Sequence, residues 1–559
     1  MMKQLFLVAV AVCCSGLAYA QEEMTELYTK EVEHSFNSTG FDDVEGYIYA
    51  SSGKEISVIK NSTGDVLWTA RYKEISEELG KVDDIIPMWD AKVLFLFDRK
   101  IGKDKIAAVD AMTGKLLWVS GKYQDVEDMD NVVYISKLDA FAITTKKNLT
   151  MIKVRTGEEL WTTEKFKGIV GAWAFGSDGS MVMINMKATL IGSLFAGLKN
   201  QIVKINPKNG DILWDQTYRG VVERKILTKE KIVNLEVENN KVFLYMNGIQ
   251  VFDYADGKPQ WSAVWDASPS DVVKNKKPIG ATMFGAYGVV AEPIVVGDYI
   301  YVIDMENKRN QFLKKYEIKT GKMVWRSAEI KDARAIPGIH VSGDKVILQV
   351  GGLVELQYVQ KKLENGNWVF ENHIEGENIK PLNVQCFNAI TGEQLWESDK
   401  MKRGMTNLFL DNNNVIVCSG KALYSMDIAT GKENYEIPLK EDNVGVASMI
   451  LKYKDQVIVV GEKGVSSRKM SDGSLTGSSK FKSSQPLSLN GKYIYGDGTM
   501  ALVTPGSDFG VYNLNNMTYK RFDARRGASA YLSIDGLSLY VLESGNMMRK
   551  SKLTKLSAK

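Results

Sequence analysis

From about residue 44 onward the chain alternates short apolar runs with polar turns. KVLFLFD (92–98), KVFLYM (241–246), DYIYVID (298–304), DKVILQV (344–350), NVIVCSG (414–420) and QVIVVGE (456–462) are rich in β-branched and aromatic residues. Runs of this length, bounded by Gly, Asp and Asn, predict buried strands. Each precedes a second pattern, in which a β-rich run leads into a turn and an aromatic residue. The pattern is clearest in AAVDAMTGKLLW (107–118) and returns as NSTGDVLW (61–68), VRTGEELW (154–161), NPKNGDILW (206–214), DYADGKPQW (253–261), IKTGKMVW (318–325) and NAITGEQLW (388–396). Weaker copies are DIATGKENY (427–435), KMSDGSLTG (469–477) and YNLNNMTY (512–519), the last with Asn516 expected at the glycine position.

The repeat pairs a glycine with an aromatic residue four positions later: Gly64 with Trp68, Gly114 with Trp118, Gly157 with Trp161, Gly210 with Trp214, Gly257 with Trp261, Gly321 with Trp325, Gly392 with Trp396, and Gly431 with Tyr435. The leading Asp or Asn can hydrogen-bond its own turn, and Gly tolerates the positive φ that closes it. Leu67, Leu117, Leu160, Leu213, Val324 and Leu395 precede their tryptophans, whereas the position before these varies from Val66 to Glu159 to Gln394. In a strand these positions alternate in direction, so one face is expected to be steadily apolar while each tryptophan packs at a seam.

Repeats at intervals of 39 (Gly392 to Gly431) to 71 residues (Gly321 to Gly392) fit four-stranded blades with insertions. The predicted fold is an all-β propeller, eight-bladed, with nine or more blades as the alternative. The ends are expected to share a blade, with GLSLYVLES (536–544) pairing against N-terminal strands. The expected divisions are a signal peptide over 1–20, an N-terminal segment over 21–43 and the propeller over 44–559.

The first twenty residues sharpen the compartment. Lys3, the apolar run Leu5 to Val12 and the Ala18-Tyr19-Ala20 triplet have the three-part pattern of an export signal, so the chain is expected to be exported, periplasmic or secreted. Lipid attachment at Cys13 or Cys14 is the alternative. No later run has the length that spans a bilayer. The remaining cysteines, Cys386 and Cys418, are open to pairing or to free burial. Lysine plus arginine (71) nearly balances aspartate plus glutamate (68), which argues against nucleic acid as a partner.

Candidate chemistry is sparse. His34, His340 and His373 are isolated, and no nucleophile elbow, P-loop or dinucleotide fingerprint occurs. The acidic run DVEDMD (125–130) lacks calcium-loop spacing and reads as a solvated loop. Two apolar insertions, 187–199 and 277–298, are expected to pack on the ring or to expose a binding patch. The insertion 360–380 is expected to be an extended hairpin around Asn365-Gly366.

AVDAMTGKLLW, NAITGEQLW and SMDIATGKENY resemble the tryptophan-docking repeats of the quinoprotein-type (PQQ-like repeat) β-propeller family over residues 44 to 520. That family includes pyrroloquinoline quinone dehydrogenases and the BamB-like scaffold of outer-membrane assembly. In it the repeat is structural, so the resemblance implies no catalytic, cofactor-binding or metal-binding residue at the repeated positions. Its enzymes use a vicinal disulfide, a calcium site and an aspartate base. The chain after residue 20 has no adjacent cysteines, and no catalytic residue can be matched. The expectation is therefore an exported, non-enzymatic scaffold with a protein partner in the envelope and no cofactor. A PQQ- and calcium-dependent dehydrogenase, or a glycan- or small-ligand-binding propeller, is the alternative.

Overall fold

Eleven antiparallel meanders follow one another along the chain in a computed structural model that describes residues 22–558, apart from 101–102, 125–131, 145–147, 167, 187–199, 219–233, 247, 265–280, 288, 307–309, 365–366, 462, 481–497, 504–507, 526 and 547–548. Ten are four-stranded sheets and one has five strands. We number them blades 1 to 11: residues 38–71, 84–120, 132–163, 169–217, 234–264, 294–326, 338–397, 405–438, 447–480, 499–523 and 529–557.

The two ends are stitched together. Thr25–Val32 pairs with the last strand, Ser551–Ser557, and so completes blade 11. Glu22–Glu23 runs parallel to Thr518–Asp523 of blade 10, with Glu22 opposite Lys520 and Glu23 opposite Arg521. The ends do share a blade, but through 551–557; the expected partner 536–544 lies one strand further in. The boundary expected at residue 44 also falls inside a blade, because Ser38–Asp42 is the first strand of blade 1.

The second strands explain the apolar runs. Val93–Asp98 is buried at every position, as is Gln201–Ile205, a third strand. Such strands are sandwiched between the blades on either side, so both faces need apolar side chains. Apart from a small cluster at the base of blade 7's long hairpin, each core cluster accordingly draws on two successive blades. One joins Tyr49, Ile56 and Val58 of blade 1 to Leu94, Leu96 and Val109 of blade 2. Another joins Val511 of blade 10 to Leu539 and Val541 of blade 11, and a third joins Tyr540 and Leu553 of blade 11 to Ile48 and Ile59 of blade 1. The clusters run through every junction and back to blade 1, so the circuit closes. Each buried Val, Leu or Ile contributes about 1.5–3 kcal/mol, which makes the seams the main source of the ring's stability. The eight-blade expectation gives way to its larger alternative. Blade 11 carries no clear repeat, and blade 10 carries a degenerate one.

Candidate functional site

Every repeat position serves a seam. Gly114, at φ +71°, lies under the Trp68 ring, where a Cβ would come within 2.7 Å of it. Gly157 sits likewise under Trp118, Gly210 under Trp161, Gly257 under Trp214, Gly321 under Trp261, Gly392 under Trp325 and Gly431 under Trp396. Each tryptophan of one blade thus covers the glycine of the next. The indole N–H then donates to the carbonyl three residues before that glycine: Trp68 to Ala111 (2.8 Å), Trp118 to Val154 (2.9 Å), Trp161 to Pro207 (2.8 Å), Trp214 to Tyr254 (3.0 Å), Trp325 to Ala389 (3.1 Å) and Trp396 to Ile428 (2.8 Å). Tyr435 substitutes for the indole through its hydroxyl, which donates to Met470 O over Gly473. Trp261 keeps the stacking, but its buried Nε1 has no partner among the described residues. The closing seam obeys the same rule: Tyr28 lies over Gly64 and its hydroxyl donates to Asn61 O at 2.6 Å.

Asp110 performs the turn role expected of it. Its Oδ1 accepts from Met112 N (3.1 Å), Thr113 N (3.0 Å) and Thr113 Oγ1 (3.0 Å), while Arg155 of blade 3 binds Oδ2 at 2.7 Å. Burial opposes ionisation of this carboxyl, yet the bonds from Arg155 and Thr113 outweigh it and hold the pKa below its usual value.

Two features of the repeat were not visible in the alternation pattern. First, the residue before each docking position is a β-bulge: Trp118 pairs with Ala108 and Leu116 with Val109, leaving Leu117 unpaired. The bulge re-aims the strand, and Leu67 (41% exposed), Leu213 (52%), Val324 (44%) and Leu395 (43%) face solvent on the rim. At these four copies the apolar position lies outside the core, whereas Leu117 and Leu160 are half-buried against it. Second, the αL position of the tenth copy is Met517 (φ +57°), one residue beyond Asn516. Met517 packs on Gly477, the position at which other copies carry tryptophan.

The loops sort onto two faces. In a four-stranded meander, the turns after the first and third strands share one face and the remaining connections share the other. On the first face no connection exceeds the six residues 206–211. Among the described residues, the other face carries the long hairpin of blade 7. That hairpin joins Lys345–Glu364 to Asn367–Asn388, and Glu364 pairs with Asn367 across Asn365-Gly366, as expected. Ala281–Tyr287, from the second apolar insertion, pairs with residues 355–360 and makes a three-stranded arm. Val289 and Ala335 pack with Val354 and Ile379 at its base. The first apolar insertion (187–199) and the acidic run (125–130) lie outside the described residues.

Beside the arm, the connections of blades 7, 8 and 9 present six exposed cations: Lys400, Lys402, Arg403, Lys421, Lys440 and Lys463. Backbone bonds hold their loops together: Leu439 N donates to Lys421 O (2.7 Å), Ala447 N to Gly420 O (3.3 Å) and Lys463 N to Val444 O (2.9 Å). Arg403 packs on Gly420. The arm's base joins them, since the Asn378 amide oxygen accepts from Met405 N at 3.1 Å.

The remaining candidates are structural. His34 is buried and its Nε2 bonds Ser57 Oγ at 2.7 Å. His340 stands on the first strand of blade 7, and burial lowers its pKa. Cys386 and Cys418 are buried and unpaired, and burial pushes the Cys386 thiol up to about 12. Among the described residues, no three His, Cys, Asp or Glu side chains cluster as metal ligands, and no helix is long and apolar enough to cross a membrane.

A family model described as outer membrane protein assembly factor BamB matches residues 25–192, 145–287 and 382–516. Among solved structures, BamB from Moraxella catarrhalis is 14% identical and covers 78% of this chain and 94% of that one, with a TM-score of 0.26. The computationally designed Ika8 protein is 12% identical, covering 78% and 96%, with a TM-score of 0.28. No curated protein matches the chain. The superpositions add nothing at these scores, and the assignment rests on the family model over residues 25–287 and 382–516. Those residues hold nearly all of the glycine–aromatic seams, and the chain belongs to the BamB family of PQQ-repeat β-propellers.

Proposed function

We propose that this protein is an exported scaffold of the cell envelope, which holds a protein partner on the arm-bearing face of its ring and catalyses no reaction. The observation that carries this reading is the one-sided placement of the insertions. Among the described residues, one face is reduced to turns of six residues or fewer, while the other bears the arm. Rigid frameworks place recognition in such loops. The export signal read at residues 1–20 fits the compartment in which the family's assembly factor is named, and the repeated positions are all consumed by seams.

The test is affinity isolation from envelope fractions, comparing the full chain with a variant whose arm is cut back to Gly352 and Ile379. A defined partner retained by the full chain and lost with the arm is expected. Recovery of no partner, together with dye reduction on reconstitution with PQQ and calcium, would overturn the reading in favour of a dehydrogenase.

A further inference from the structure

Some exposed lysines are answered by a nearby acid: Lys122 meets Glu159 at 2.6 Å, Lys153 meets Glu158 at 2.7 Å and Lys452 meets Asp411 at 2.6 Å. Others, such as Lys208 and Lys432, stand alone on separate turns, and what sets the cations beside the arm apart is that six of them share adjoining connections. Lys400, Lys402, Arg403, Lys421, Lys440 and Lys463 make no ion pair or side-chain hydrogen bond with any described residue. The acids that could neutralise them are few. Among the described residues of these connections, Asp399 and Glu441 are the exposed acids, and Glu377 stands beside Asn378 at the arm's base with a partner of its own. Asp442, in the middle of the same loops, is fully buried and committed to Arg468 and to Ser466 (2.5 Å).

The patch is also preorganised. Its loops are tied to one another by the backbone bonds from Leu439, Ala447 and Lys463, and to the arm through Asn378. Like charges gathered on adjoining loops repel one another, and an opposite charge bound there relieves that repulsion. Five of the six are lysines, which act as hydrated point charges without the planar fork that selects a single phosphate or carboxylate. A run of carboxylates spaced along a polypeptide reaches charges on separate connections better than one compact anion does.

We infer that the surface formed by Lys400, Lys402, Arg403, Lys421, Lys440 and Lys463 docks an acidic segment of a protein partner, alongside the arm of blade 7. The inference rests on the scaffold reading above and gives its partner a chemistry.

The probe is a fluorescent deca-glutamate peptide, titrated against the full chain by anisotropy at low and at physiological salt. The test variant is Lys402→Gln/Arg403→Gln/Lys421→Gln/Lys440→Gln. The control, Lys208→Gln/Lys319→Gln/Lys322→Gln/Lys432→Gln, removes equal charge from exposed turns on the opposite face. Unchanged melting of both shows that folding is intact. At least tenfold weaker binding is expected in the test variant only, with a flatter salt dependence. Equal loss in both variants would reduce the effect to net charge and overturn the inference. Tighter retention of the full chain by phosphatidylglycerol vesicles than by the peptide, through the same four residues, would overturn it in favour of a lipid surface. If the envelope partner is retained equally by the test variant, the scaffold reading stands and the patch fails. If the full chain retains no envelope partner but binds the peptide through the patch, the scaffold reading fails instead.

Discussion

A glycine under each indole makes a quantitative prediction about coupling across a seam. Gly157 adopts φ +69°, and a Cβ there would lie 2.7 Å from Trp118 Cδ2 and 2.8 Å from Cγ. Gly157→Ala therefore carries two separable penalties. The left-handed backbone disfavours any L side chain by about 1–2 kcal/mol, and forcing the methyl against the indole adds the about 1–3 kcal/mol typical of overpacking. Trp118→Ala alone removes a large ring that packs on Phe95 and Phe141 and donates to Val154 O. Its expected cost is about 3–5 kcal/mol.

In the double variant the indole is gone, so the steric part of the glycine substitution disappears and only the backbone part remains. The sum of the two single effects should exceed the double effect by about 1–3 kcal/mol, whereas independent sites add to within about 0.5 kcal/mol. Urea unfolding followed by far-UV circular dichroism measures this without relying on the tryptophan being removed. Additivity would refute the claim that the glycine is required by the ring above it and not merely by its turn.

Three further outcomes follow from the same seams. Gly477→Trp should clash with Met517, and Met517→Gly should leave a cavity costing about 2–5 kcal/mol; the two together rebuild the ordinary pair and should melt higher than either alone. Removing residues 22–32 deletes the strand that covers Ser551–Ser557 and with it Tyr28, so the truncated chain should melt lower and self-associate on size exclusion, through the exposed strand edge. Lys315 is buried against Tyr299 and Tyr301, donates to Ala389 O at 2.9 Å and has its pKa pushed below 10.5 by burial. The unfolded chain then binds more protons than the folded one between that lowered pKa and 10.5, so this group's contribution to stability rises with pH there. Buried tyrosines, raised to about 12 at Tyr72 and Tyr245, act oppositely above pH 10. The lysine is therefore read as the difference between wild type and Lys315→Met, and a pH-independent difference across that window would refute the assignment.

The frame was legible because one chemical rule recurs. The positive-φ turn, the leading Asp or Asn and the aromatic four residues on are all local, and together they mark eight seams, including those that use Tyr435 and Trp261. The closing seam was not legible in this way. Tyr28 does the tryptophan's work, but it stands on a strand whose hairpin partner lies at the other end of the chain, so no local spacing links it to Gly64. The bulge escaped for a different reason. Strict alternation assigns Leu67 and Leu395 to a buried face, and one inserted residue per outer strand reverses that result without changing the composition that suggested it.

The docking face illustrates why function is harder to read than frame. Its six cations come from three blades and from connections 18 or more residues apart, such as Arg403 and Lys421 or Lys440 and Lys463, and the whole chain has a net charge of only +3. Charge balance over the full sequence spoke only against nucleic acid as a partner. That balance holds on average and fails locally, where adjoining connections bring six cations together. The ring sets each blade's second-to-third-strand turn beside the connection that enters the same blade. Lys421 thereby comes beside Arg403, and Lys463 beside the loop that carries Lys440. A repeat built to solve one packing problem eleven times thus also concentrates loops of unrelated sequence on one surface, and it is there that this propeller differs from any other made of the same blades.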